Sequence, residues 1–108
     1  MNKLIMIGVI KNVPKLTNTK NGNELIVVDL DTGEGALLEV LIMGETAKVN
    51  NGKLSQGDMV YMEGRLRNKK DNTYKNNLVI YANYVLLVQS KYSDKQTGDY
   101  GVDDIFLD

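Results

Sequence analysis

Three β-rich runs, one short helical segment and two further β-rich runs, with glycines set inside the longest of them, predict an all-β fold. The fold expected is a five-stranded Greek-key barrel whose one short helix lies between strands 3 and 4. The 108 residues suffice for one domain, and an apolar content of 43% supplies one small core. An OB-fold has this order of elements, although a five-stranded sandwich or an SH3-like barrel also fits the pattern. No internal repeat or low-complexity tract interrupts it.

The first strand covers residues 3–13, rich in Ile, Leu, Val and Met, with Gly8 at a point where a barrel strand bends. Pro14 closes it, because proline cannot donate to a ladder. The turn Asn18-Thr19-Lys20-Asn21-Gly22-Asn23 leads to a second strand from Glu24 to Leu30, and the short turn 31–35 leads to a third from Ala36 to Met43. Thr46 suits the N-cap of a helical turn across Ala47-Lys48-Val49, which Asn50-Asn51-Gly52 ends. A fourth strand from Met59 to Arg67 carries Gly64 in mid-strand, and Lys69-Lys70-Asp71-Asn72 forms a charged hairpin tip. The fifth strand spans about 73–82, with a continuation through Val85–Val88. Glycines 8, 44 and 64 read as positions where the barrel curves, not as a phosphate cradle. Beyond Gln89 the apolar density falls, and Ser93–Asp99 reads as a disordered linker. The expected division is therefore a barrel domain over 1–89 and a linker with an acidic tail over 90–108.

Composition excludes much chemistry. With no Cys and no His, there are neither disulfides nor thiolate or imidazole metal ligands, and the commonest general base is missing. The carboxylates show no paired acid/base or hard-metal spacing, so no catalytic residue, metal or cofactor is assigned and the chain is not expected to be an enzyme. The amino-terminal apolar run is too short for a signal peptide and no stretch approaches membrane-spanning length, which points to a cytoplasmic protein without a membrane partner. The net charge of −1 divides unevenly. Residues 1–89 hold 11 Lys/Arg against 9 Asp/Glu, and residues 90–108 hold 2 against 5. A mildly basic body is compatible with a nucleic-acid partner but does not require one.

Several segments resemble the bacterial and phage single-stranded-DNA-binding protein family. They are Met1-Asn2-Lys3 with Ile5, Ile7 and Gly8, then Asn12-Val13-Pro14, Lys20-Asn21-Gly22, Ile42-Met43-Gly44 with Thr46-Ala47, and Leu54-Ser55-Gln56-Gly57-Asp58. The most specific is Val60-Tyr61-Met62-Glu63-Gly64-Arg65-Leu66-Arg67, and the likeness spans roughly 1–88. The end of the chain, Asp103-Asp104-Ile105-Phe106, resembles the acidic, Phe-tipped docking peptide of that family. In physical terms its charges steer toward a basic groove while Ile105 and Phe106 fill a pocket. The family usually ends in Ile-Pro-Phe, whereas here proline is missing and Leu107-Asp108 follow Phe106.

The resemblance implies non-sequence-specific coating and protection of single-stranded DNA during replication, recombination and repair. It also implies a homotetramer rather than a dimer, partner replication and repair proteins docked on the tail, and a bacterial host, nucleoid-associated during replication. The small tail and trimmed loop 31–35 suit a phage or mobile-element version. The binding face departs from the family: there is no Trp, Leu37 and Met43 stand where aromatics are common, and Glu39 and Glu45 lie near positions that tend to be basic. Single-strand capture needs aromatic platforms in a basic groove. The DNA-binding candidates are accordingly Lys69, Lys70 and Tyr74 on the hairpin, Arg65 and Arg67 leading into it, and Tyr81, with Lys3, Lys11 and Lys20 along the path. The lysine pair equally suits a solvated hairpin tip, the arginines an ion pair or subunit contact, and the tyrosines packing. The acidic substitutions support a second reading, an OB-fold adaptor of a replication-restart or recombination complex whose main partners are proteins. RNA binding is also open, since stacking platforms accept either nucleic acid.

Overall fold

The structure, a computed structural model, describes residues 2–68 and 78–91. Its elements are β1 (Leu4–Ile10), β2 (Leu16–Asn18), β3 (Glu24–Asp31), β4 (Leu37–Met43), α1 (Gly44–Asn50), β5 (Met59–Asn68) and β6 (Leu78–Gln89). Period-two alternation turns Ile26, Val28 and Leu30 of β3, Val40 and Ile42 of β4, and Val60 and Met62 of β5 to one interior, with Met6 and Ile10 of β1. Each such aliphatic side chain contributes about 1.5–3 kcal/mol on burial. Ala47 of α1, wholly buried, is the helix's contribution to this core.

The strands follow the order β1-β5-β6-β4-β3-β2, and β1 closes the sheet on β3. Five long strands thus form the barrel, β2 extends one side, and the helix sits between the third and fourth barrel strands, as the OB architecture requires. The parallel pair is β4 with β6, Val40 opposite Ile80 and Ile42 opposite Ala82. Closure depends on Gly8: β1 pairs with β5 along Leu4–Val9 and then with β3 at Val9 and Ile10. A Cβ at Gly8 would run into the Asp31 carbonyl, so only glycine lets β1 cross so close to β3.

Two details differ from the sequence reading. The long first strand is interrupted after Ile10, because the Asn12 side chain takes over from backbone pairing. Its Nδ2 donates to the Val27 carbonyl at 2.8 Å and its Oδ1 accepts from the Asp29 amide at 2.9 Å. Beyond Pro14 the chain resumes as β2 along β3, Leu16 opposite Ile26. The helix starts at Gly44, not after a Thr46 cap: Gly44, with φ of 62°, turns the chain straight out of β4, and Met43 at the N-cap position makes no side-chain cap bond. Gly44 is therefore a turn residue rather than a barrel-curving one. The expected continuation of the fifth strand is present: β6 is one continuous strand through Gln89, held to β5 across two register shifts, while residues 73–77 of its expected span lie outside the described residues.

Asp58 is the buried charged residue among those described, 2% exposed. Its carboxylate accepts from the Ser55 amide at 2.9 Å and the Lys91 amide at 3.0 Å, which ties the turn before β5 to the chain just after β6.

Candidate nucleic-acid interface

Alternation along β5 buries Met62 and Gly64 and turns Arg65 and Arg67 outward on one face. Across the ladder Arg65 stands directly opposite Tyr81 of β6, and Arg67 opposite Val79. Arg67 is thus diagonal to Tyr81, and its guanidinium carbon lies 5.8 Å from the centroid of the Tyr81 ring. At a solvent-accessible site a cation over a ring is worth about 0.5–1 kcal/mol and holds the ring in a fixed attitude. Neither arginine has an ion-pair partner among the described residues. Together with Met43 at the end of β4 and Asn83 of β6, these three line a groove of about 520 Å³. Two guanidiniums flanking a half-buried aromatic ring offer what a single-stranded nucleic acid needs, phosphate neutralisation beside a π-face.

The other sequence candidates are dispersed. Lys3 lies 3.5 Å from Glu63, at the amino-terminal side of the groove. Lys11 lies 4.0 Å from Asp31, where β1 meets β3, and Lys20 is exposed in the turn between β2 and β3. Lys69, Lys70 and Tyr74 lie outside the described residues, as do Asp103, Asp104, Ile105 and Phe106 of the tail. On the outer face of β3 and β4, Asp29 and Glu39 stand opposite one another, a like-charged pair that works against a polyanion on that part of the barrel.

Two features went unread in the sequence. One is Asn83, which lines the groove and which a register shift leaves without a ladder partner. The other is an apolar face across β1, β5 and β6: Ile5 is 61% exposed, Ile7 54%, Leu86 49% and Val88 52%. Its signal was present, since β1 reads Leu-Ile-Met-Ile-Gly-Val-Ile and is apolar on both faces, as strands covered twice are. Set within that face is one polar cluster. The Tyr61 hydroxyl donates to Glu63 Oε2 at 2.6 Å, Lys3 approaches the other oxygen, and Tyr84 packs edge-on against Tyr61 with centroids 6.2 Å apart. The Tyr61 hydrogen bond, seconded by Lys3, holds the Glu63 carboxyl below its ordinary range, and the same bond raises the Tyr61 phenol. Because the folded Glu63 value is depressed, its stabilising contribution is present at neutral pH and fades as pH falls through that value.

Comparison with known proteins gives one kind of match. No family model matches this chain, and no curated protein sequence does. The fold defines the class: this is an OB barrel with a basic, tyrosine-bearing groove on its outer wall. Among solved structures, the wild-type single-stranded DNA binding protein from Thermus aquaticus shares that fold with a TM-score of 0.68 at 19% identity, over 85% of this chain and 52% of that one. A deletion mutant of the same protein gives a TM-score of 0.65 at 20% identity, over 84% and 52% of the two chains. The chain spans about half the length, 52%, of these matches. Among the described residues no helix is long and apolar enough to cross a membrane.

Proposed function

We propose that this chain is a small, non-catalytic single-stranded-DNA-binding protein of the bacterial and phage type, which coats and protects unpaired DNA during replication, recombination and repair. The observation that carries this reading is the groove in which Arg65 and Arg67 flank Tyr81 on the outer wall of an OB barrel. The fold likeness to the Thermus aquaticus protein, which bears the name of a single-stranded DNA binder, agrees with it. In this reading residues 1–89 bind DNA, Lys69, Lys70 and Tyr74 among the binding residues, and 90–108 form a linker and an acidic tip that recruits partners through Asp103, Asp104, Ile105 and Phe106. The protein acts in the cytoplasm of a bacterial host.

A labelled oligo-dT of several tens of nucleotides, titrated by fluorescence anisotropy beside a duplex of equal length, tests the reading. Strong preference for the single strand is expected, with a salt slope rising by about 0.7 for each phosphate neutralised. Equally feeble binding to both would favour the adaptor reading, for which the opposed Asp29 and Glu39 are the specific support.

The reading includes a homotetramer, supported by the apolar face of β1, β5 and β6, because exposed aliphatic patches of this kind mark contact surfaces. Leu86→Glu places a charge on that face without entering the core. Size-exclusion chromatography with light scattering is expected to show a tetramer for the wild type and a monomer for the variant. A wild type that runs as a monomer would remove the tetramer from the proposal.

A further inference from the structure

Between Glu63 and Gly64 the ladder slips: Glu63 pairs with Tyr84 but Gly64 with Ala82, which leaves Asn83 as the extra residue of a β-bulge. Asn83 and Tyr84 are therefore both exposed in succession, and Asn83 opens onto the groove two residues beyond Tyr81, about 6–7 Å along the strand. Its amide makes no hydrogen bond among the described residues. A bulge that interrupts the pairing of β5 and β6 and delivers an unpaired amide beside an arginine-braced aromatic ring is a local departure from ideal sheet geometry with a clear chemical product.

Building on the single-strand-binding reading above, we propose that Asn83 is a binding residue for the Watson–Crick edge of a base stacked on Tyr81. An amide offers one donor group and one acceptor. Every nucleobase presents a donor beside an acceptor on its pairing edge: N3–H beside O4 in thymine, N4–H beside N3 in cytosine, N6–H beside N1 in adenine and N1–H beside O6 in guanine. Rotation of the Asn83 amide by half a turn matches either order, so the contact accepts all four bases. It also occupies the edge that a complementary strand needs. The subsite thus selects an unpaired base without choosing among sequences, whereas phosphate contacts alone say nothing about pairing.

The test uses the full chain and two probes, oligo-dT and the same strand with every thymine methylated at N3, which keeps the ring and the phosphates and blocks the donor on the edge. Wild-type protein is expected to bind the methylated strand about fivefold to tenfold more weakly, the scale of one or two lost hydrogen bonds. Asn83→Ala, at an exposed position, is expected to bind both strands with nearly equal affinity and with the wild-type salt slope. Discrimination by the wild type that Asn83→Ala erases supports the subsite. Absence of discrimination by the wild type, or discrimination that the variant retains, overturns the subsite and leaves the protein a single-strand binder. Failure of the wild type to bind plain oligo-dT overturns that broader reading, and the subsite with it.

Discussion

Tyr81→Ala is expected to weaken oligo-dT binding by about 5-fold to 150-fold, from a stacking contribution of about 1–3 kcal/mol for one base. The salt dependence should stay as in the wild type, because no phosphate contact is removed. Arg67→Ala should behave in the complementary way. It loses the brace 5.8 Å above the ring and one neutralised phosphate, so its affinity loss is smaller at high salt and its slope falls by about 0.7. Tyr81→Phe keeps the ring and should bind nearly as the wild type does. Anisotropy titrations of the three variants at several salt concentrations separate the roles. An unchanged dissociation constant for Tyr81→Ala would mean that the strand runs elsewhere on the barrel, and the groove beside β5 and β6 would lose its assignment.

The barrel was legible because its signals are local and periodic. Aliphatic residues alternate along β3 and β5, turn residues separate the strands, and Gly8 and Gly64 stand inside long apolar runs where a sheet curls. The outward pairing of Arg65 with Arg67 was equally legible, since residues two apart on a strand share a face. What stayed hidden depends on contacts between segments far apart in the chain. No pattern in residues 3–13 announces that the Asn12 amide stands in for a strand's backbone against Val27 and Asp29, because the partner groups lie on β3. The start of α1 was misplaced because Thr46 has the chemistry of a cap, while the actual determinant is the left-handed backbone at Gly44. Tyr81 was recognisable as a stacking candidate, but its neighbours were not. Arg65 opposes it across the β5–β6 ladder, and the slip between Glu63 and Gly64 leaves Asn83 without a ladder partner beside it.

That dependence on Gly64 leads to the largest effect expected on stability. A Cβ at Gly64 would collide with the Tyr81 carbonyl oxygen, lie 2.9 Å from its carbon and 3.1 Å from the Ala82 Cα. All three are backbone atoms of a paired strand, so no side-chain rotation relieves the overlap, and β6 must move away from β5 along their shared ladder in the barrel wall. Overpacking of this kind costs about 1–3 kcal/mol, and a rigid backbone neighbour places Gly64→Ala near the upper end. For a domain of this size, about 3 kcal/mol lowers the melting temperature by roughly 12–24 °C. Gly33→Ala is the internal comparison: Gly33 has φ of 92° and nothing within 4 Å of the place its new methyl group would take, so it carries only the cost of left-handed backbone, about 1–2 kcal/mol. Urea unfolding should therefore rank the wild type above Gly33→Ala and Gly33→Ala above Gly64→Ala. Below its melting point Gly64→Ala should also bind oligo-dT more weakly than Gly33→Ala, since the carbonyl it displaces belongs to the residue that carries the stacking ring. Equal stability of the two variants would mean that β5 and β6 are not held so close at Gly64, and the placement of Asn83 by the slip at that glycine would fall too.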